Sequence, residues 1–146
     1  MATIRKGRIA DMDEVLRLIR VLADFEESPG EVRISAPELV SDFKEGLFDF
    51  VIAEVDGVVV GMALYFFRYS TWKGKTLYLE DLVVDNEFRN RGIGRDIMDQ
   101  LIAIARQNGC YQMNWQVLNW NDDAVRLYER IGAKLDTGWT NVYLRL

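Results

Sequence analysis

The chain has 146 residues, a length suited to one compact domain, and its 49% apolar composition, with four Trp, seven Phe and six Tyr, supplies material for a core. A net charge of -5 argues against a surface that tracks nucleic-acid phosphates and suits small cationic partners. Cys110 is the only cysteine and histidine is absent, so a disulfide, a multi-cysteine zinc site and histidine-based triads or metal sites are all excluded, and proton transfer falls to Asp, Glu, Tyr, Lys, Cys or water. No metal is expected.

Thr3 to Arg8 reads as a first strand. Asp11 and Glu14 have the spacing of a capping box, and Val15, Leu18, Ile19 and Leu22 form the stripe of a helix that Ser28-Pro29-Gly30 ends. Ser35 with Glu38 opens a shorter helix carrying Leu39 and Phe43, ending near Gly46. Phe50 to Val55 and Val58 to Phe67 read as strands joined by Asp56-Gly57, a two-residue loop that predicts an antiparallel hairpin. Leu77 to Val84 is a third strand, and Ile93, Ile97, Leu101 and Ile104 mark a helix that stops at Asn108-Gly109. Tyr111, Met113, Trp115 and Val117 alternate with polar residues at strand period. A helix from about Asp122 to Arg130 and a closing strand from about Trp139 to Leu146 complete an α/β (α+β) layer of helices on a mixed sheet, read as one domain over residues 1–146. Met1 to Ile9 lacks a signal-peptide run and no segment approaches bilayer length, so a soluble, cytoplasmic protein that binds neither membrane nor nucleic acid is expected.

The most informative stretch runs from Leu79-Glu80-Asp81-Leu82-Val83-Val84 into Arg89-Asn90-Arg91-Gly92-Ile93-Gly94-Arg95, a strand feeding a loop that opens a helix. Gly92 and Gly94 permit close approach of a ligand, and the first N–H groups of the helix attract an anion. Gly-x-Gly alone is equally compatible with a plain helix-start loop bearing solvated arginines. A dinucleotide fingerprint needs a glycine where Ile97 stands, and a P-loop needs a Gly-Lys-Ser/Thr that the chain lacks.

Arg89-x-x-Gly92-x-Gly94 and Asn121-x-x-Ala124-x-x-x-Tyr128-x-x-x-Gly132-Ala133 together resemble the two signature blocks of the GCN5-related N-acetyltransferases, with Ala133 where an aromatic is usual. Within that family the segments Tyr65 to Lys75 and Leu77 to Leu82 look most like the diamine acetyltransferases of the spermidine/spermine and thialysine type. Ser70 stands where the polyamine enzymes carry an Asp. The resemblance implies a mostly antiparallel central sheet flanked by helices, and a homodimer with its amine site near the subunit boundary. It also implies transfer of acetyl from acetyl-CoA to a primary amine of a small molecule by direct attack in a ternary complex. A protein or peptide amine as acceptor, and a non-catalytic acetyl-CoA-binding module, are the alternatives.

The resemblance further implies site roles. Arg89, Asn90, Arg91, Gly92, Ile93, Gly94 and Arg95, with Leu82, Val83 and Val84 of the preceding strand and Asn121, are expected to hold the cofactor. A bulge in that strand is expected to aim a backbone N–H from about Leu82 or Val83 at the thioester oxygen. Tyr128 is expected at the cofactor too, its phenol donating to the departing thiolate; a core tyrosine is the alternative. Asn121 also suits a plain helix cap. Glu80 and Asp81 lie within a strand, where alternation points them to opposite faces; Glu80 is the candidate proton acceptor and both are candidate substrate acids, against an edge carboxylate paired with Lys75 or an arginine. Trp72 is a candidate wall of the amine pocket or simple loop packing. Cys110 reads as a small buried residue.

Overall fold

A computed structural model describes all residues, Met1–Leu146, which divide into two compact units, Met1–Gln116 and Val117–Leu146. In the first unit β1 (Thr3–Lys6), α1 (Met12–Phe25), α2 (Ala36–Lys44), β2 (Asp49–Val55), β3 (Val58–Ser70), β4 (Gly74–Val84), α3 (Ile93–Gln107) and β5 (Met113–Asn114) follow in order. The five strands lie side by side in chain order. β1 to β4 pair antiparallel and β5 joins β4 in parallel, so the sheet is mixed and mostly antiparallel, as expected.

Strand periodicity sorts the side chains onto two faces. Phe50, Ile52, Met62, Leu64 and Val83 face one side, where they form a core with Met12, Val15, Leu16 and Leu18 of α1 and Leu39 of α2. Val51, Ala53 and Ala63, one residue out of phase, are buried on the other side, and α3 packs against the sheet through Ile93, Ile97, Met98 and Leu101. Gly7 lies directly under the Phe50 ring: a Cβ there would stand 2.0 Å from a ring carbon, so only glycine fits. The Asp56-Gly57 turn has φ of 51° and 77°, the two positive values that the hairpin loop demands.

Several local expectations are corrected. Asp11 does not cap α1: its carboxylate turns back to accept the Arg8 N–H at 2.7 Å and both Nη groups of Arg5 at 2.8 and 2.9 Å, and a short 3-10 turn over Ile9–Asp11 leads into the helix. The Arg5 fork outcompetes a cap because it adds charge to the hydrogen bonds, and it holds the Asp11 carboxyl below its ordinary range. β3 and β4 run beyond the expected strand ends, to Ser70 and from Gly74, because aromatic and β-branched residues continue toward the turn that joins them.

The second unit is described by itself. Its one regular element is α4 (Asp122–Arg130), capped by Asn121, whose side-chain oxygen accepts the Ala124 N–H at 3.3 Å, and ended by Gly132 at φ 89°. The closing strand expected over Trp139 to Leu146 is absent, and these residues form no ladder. Alternation predicts which side chains share a face but supplies no backbone partner, and a strand exists only where an edge receives it.

Candidate active site

The site grows from an irregularity in β4. On β3, Leu64 pairs with Asp81 and the next residue, Tyr65, pairs with Leu79, so Glu80 is an extra residue on β4. A β-bulge of this kind breaks the period of two. Tyr78, paired with Phe66, lies on the same face as Leu64; Glu80, two residues on, shares that face, and Asp81 returns to it opposite Leu64. The expectation that Glu80 and Asp81 face opposite ways is therefore corrected: both acids look toward the α1 side of the sheet.

Electrostatics agree with that geometry. Burial first, then the Glu80 and Glu26 carboxylates, push the Asp81 carboxyl up to about 6. Burial and Glu80 likewise raise the Tyr78 phenol, against the Arg68 guanidinium that sits 4.9 Å from the ring centroid. Glu26, just past the end of α1, is thus a third acid of this face that sequence reasoning missed, since its neighbour lies 55 positions away and only a charge at a helix end marked it. Burial raises its carboxyl as well. Glu80 is exposed and makes no ion pair. Lys75, its suggested partner, lies over the Phe67 ring at 4.3 Å.

Beyond the bulge, β4 has an open edge. β5 pairs only with Leu77 and Tyr78, so no strand covers Leu79 to Val84 on that side. Asp85 N donates to Val60 O at 2.8 Å, which fixes the alternation of the ladder. By that alternation Val83 turns its backbone groups to β3, whereas Leu82 and Val84 turn theirs to the open edge. Of the two expected donors, the Leu82 N–H is the one turned to the open edge. Val83 is buried and its side chain belongs to the core.

The edge leads to the start of α3. Gly92 occupies the N-cap with φ 83° and supplies no side-chain cap, leaving first-turn N–H groups without that partner. Asn90 also has positive φ, at 62°. Gly94 has no Cβ obstacle: nothing lies within 4 Å of where one would stand. Gly94 is the second residue of α3, where the helix gains less from a glycine than from an alanine. Neither packing nor conformation within the chain requires it, and the open space above the helix fits an anionic ligand lying against the backbone. The arginines are otherwise engaged. Arg89 Nε donates to Val84 O at 3.2 Å with its guanidinium 4.6 Å from the Phe25 centroid, Arg91 lies over the Phe88 ring, and Arg95 pairs with Asp99 at 3.0 Å. Ile93 is buried beneath the helix start.

Not every expected residue is brought together. Trp72 is exposed at the tip of the β3–β4 hairpin, where Ser70 Oγ accepts the N–H groups of Trp72 and Lys73. Six strand steps from Gly74 to Glu80 amount to about 20 Å, so Trp72 does not wall a pocket around Glu80 of its own chain. Cys110 is half-buried, with its thiol pushed up by burial. In the second unit, Tyr128 is half-buried on α4 and its carbonyl accepts the Ala133 N–H at 3.0 Å, while Asn121 serves as the cap described above.

A mixed sheet with a bulged, half-open strand feeds a glycine-started helix. The acetyltransferase (GNAT) family model matches residues 14–133. The chain belongs to this family and is an N-acetyltransferase, an enzyme class that uses acetyl-CoA. It is 40% identical over 141 residues to thialysine N-epsilon-acetyltransferase of Mus musculus, covering 90% of this chain and 83% of that protein. It is 35% identical to spermidine/spermine N(1)-acetyltransferase-like protein 1 of Homo sapiens, covering 93% of this chain and 21% of that protein. In fold it matches an aminoglycoside acetyltransferase from an uncultured soil metagenomic sample, with a TM-score of 0.84 at 18% identity over 99% of this chain and 96% of the other. No group of His, Cys, Asp and Glu with metal-holding geometry occurs, and no helix is long and apolar enough to cross a membrane.

Proposed function

We propose that this enzyme transfers acetyl from acetyl-CoA directly to a primary amine of a small cationic molecule, a diamine, a polyamine or a thialysine-like amino acid. The observation that carries this reading is the bulge at Glu80, which sets two carboxylates on one face of a strand whose edge is open to a ligand. The net charge of -5 and the 40% identity to a thialysine acetyltransferase support it.

When bound, acetyl-CoA supplies a thioester acyl group. On this reading the residues from Arg89 to Arg95 hold its diphosphate, with Gly92 and Gly94 exposing backbone N–H groups and the arginines shaping the loop. The Leu82 N–H holds the negative charge that develops on the thioester oxygen. Glu80 and Asp81, with Glu26 beside them, attract the ammonium. An alkylamine must lose a proton before it attacks, which at pH 7 costs about 4 to 5 kcal/mol, and a carboxylate of this face receives that proton directly or through water. The Tyr128 hydroxyl donates to the departing thiolate, and Asn121 holds the start of the helix that carries it.

A homodimer with its amine site near the subunit boundary completes the reading: Tyr69 and Trp72, exposed on the hairpin tip, lie far along the strand from their own Glu80 and suit a partner's pocket. A reducing, cytoplasmic location suits the free thiol of Cys110. Incubating the protein with acetyl-CoA and a panel of diamines, thialysine-like amino acids and peptides tests the substrate class. The expected result is CoA release together with singly acetylated small amines by mass; acetylation of peptides alone overturns it. Sedimentation at micromolar concentration checks the dimer, which a monomer rejects.

A further inference from the structure

The loop between β4 and α3 is held at two points by one helix. At its start stands Asp85, the first residue after β4. Its backbone N–H is fixed on Val60 O at 2.8 Å, and its carboxylate accepts a two-pronged grip from Arg17 of α1, with Nη1 to Oδ1 at 2.9 Å and Nη2 to Oδ2 at 3.0 Å. The same guanidinium donates to Val59 O at 3.3 Å and to Glu14 one turn earlier on α1. Four residues on, Arg89 spans from Val84 O to the ring of Phe25, the last residue of α1. Between these points the chain makes one 3-10 turn, with Phe88 N on Asp85 O at 2.9 Å, before the glycines.

A planar fork on a carboxylate fixes direction as well as distance. The hydrogen bonds of Arg17 go to Glu14, Val59 and Asp85 and to none of the loop's glycines. Turning Asp85 would nonetheless turn the segment that leads to the α3 N–H groups, because the 3-10 turn that follows Asp85 is hydrogen-bonded and only Arg89 to Gly92 separate it from the helix.

We propose that Arg17 is a positioning residue for acetyl-CoA: through Asp85 it sets the angle at which the chain enters α3, and hence how well the backbone N–H groups there meet the cofactor's diphosphate. The inference rests on the reading that the Arg89–Arg95 loop holds acetyl-CoA, and its test separates the two. Calorimetric titration with acetyl-CoA is made on Arg17→Met, Asp85→Asn, their double variant, Glu14→Gln and, as a control on the loop itself, Gly94→Val, each with a thermal melt. Steady-state KM values for both substrates accompany them. The expected result is a roughly 2- to 30-fold loss of acetyl-CoA affinity in each single variant of the pair. The double variant should lose no more than the worse single one, since the two residues act through one contact. Glu14→Gln, which removes the other carboxylate of Arg17, should stay within about twofold of the parent protein. The amine KM at saturating acetyl-CoA should stay unchanged.

Unchanged affinity in Arg17→Met while Gly94→Val loses it overturns the inference and leaves the loop assignment standing. Losses that add in the double variant, or that appear equally in the amine KM and follow the melting temperature, also overturn it, because they describe a merely structural ion pair. If Gly94→Val keeps full affinity, the loop assignment fails and this inference falls with it. Should Arg17→Met not fold, Arg17→Lys keeps the charge and removes the fork, and the same affinity loss is expected of it.

Discussion

The two units of the chain differ in how they are held. Met1–Gln116 contains every buried hydrophobic residue, from Met12 on α1 to Ala105 on α3, and its site features sit on a bulged strand and a fifteen-residue helix. Val117–Leu146 has no fully buried hydrophobic residue, and Tyr128 rides on a nine-residue helix, a length that is marginal for an isolated helix. The part that holds the buried core and the part proposed to supply the catalytic hydroxyl are therefore different stretches of chain. Stability and chemistry should separate under mutation.

The largest expected effect is on chemistry. Tyr128→Phe removes only the hydroxyl, so single-turnover transfer should fall about 10²- to 10⁴-fold while acetyl-CoA affinity and melting temperature stay near those of the parent. A variant with full turnover would take the acid role from Tyr128. The converse change, Met62→Ala at a fully buried site, should cost about 2 to 5 kcal/mol in denaturant unfolding, against less than about 1 kcal/mol for Leu127→Ala on α4. Equal losses at both positions would break the comparison. For the cofactor loop, Gly94→Val should weaken acetyl-CoA binding about 10- to 100-fold by filling the space above the helix, whereas Arg91→Ala, an exposed charge, should cost no more than about fivefold. Calorimetry ranking them the other way would make charge the main attraction.

The smallest effect concerns pH. Asp81 has a carboxyl raised to about 6 in the fold, above the ordinary carboxylate range, so the native state holds on to a proton that the unfolded chain releases. Ionising Asp81 therefore costs stability above pH 6, and the cost fades as pH falls from 6 through 4. Asp81→Asn should stabilise the protein by about 1 to 2 kcal/mol at pH 8 and by almost nothing at pH 4, as urea unfolding at the two values will read. In the same way, kcat/KM for the amine should decline below pH 6 in the parent and lose that limb in Asp81→Asn. Glu80→Gln should depress activity most at neutral pH and recover as pH rises and more amine arrives neutral. A Glu80→Gln profile parallel to that of the parent would leave the proton to water.

Much of this could be read from residues alone. Asp56-Gly57 names its own turn, because only residues that accept positive φ close a two-residue hairpin. Gly92 at the foot of an apolar stripe marks the start of α3, and Asn121 marks that of α4. The facing of Glu80 and Asp81 could not be read, since strict alternation assumes an unbroken ladder and a single extra residue in β4 reverses it. Nor could Glu26 or the Arg17–Asp85 pair, 68 positions apart, because long-range charge pairing leaves no periodic trace. The Trp139 to Leu146 segment shows the same limit in reverse: its pattern is that of a strand, yet hydrogen-bonding partners are a property of the whole fold.

The open edge of β4 has a practical side. Leu82-Val83-Val84 is an apolar run whose outward N–H and C=O groups lack a neighbouring strand, the arrangement through which folded proteins recruit one another into aggregates. Any ligand lying along that edge blocks such recruitment as a by-product of binding. Storage with CoA should therefore slow the growth of light scattering in concentrated samples of this protein, and a charged residue at position 84 should slow it without CoA.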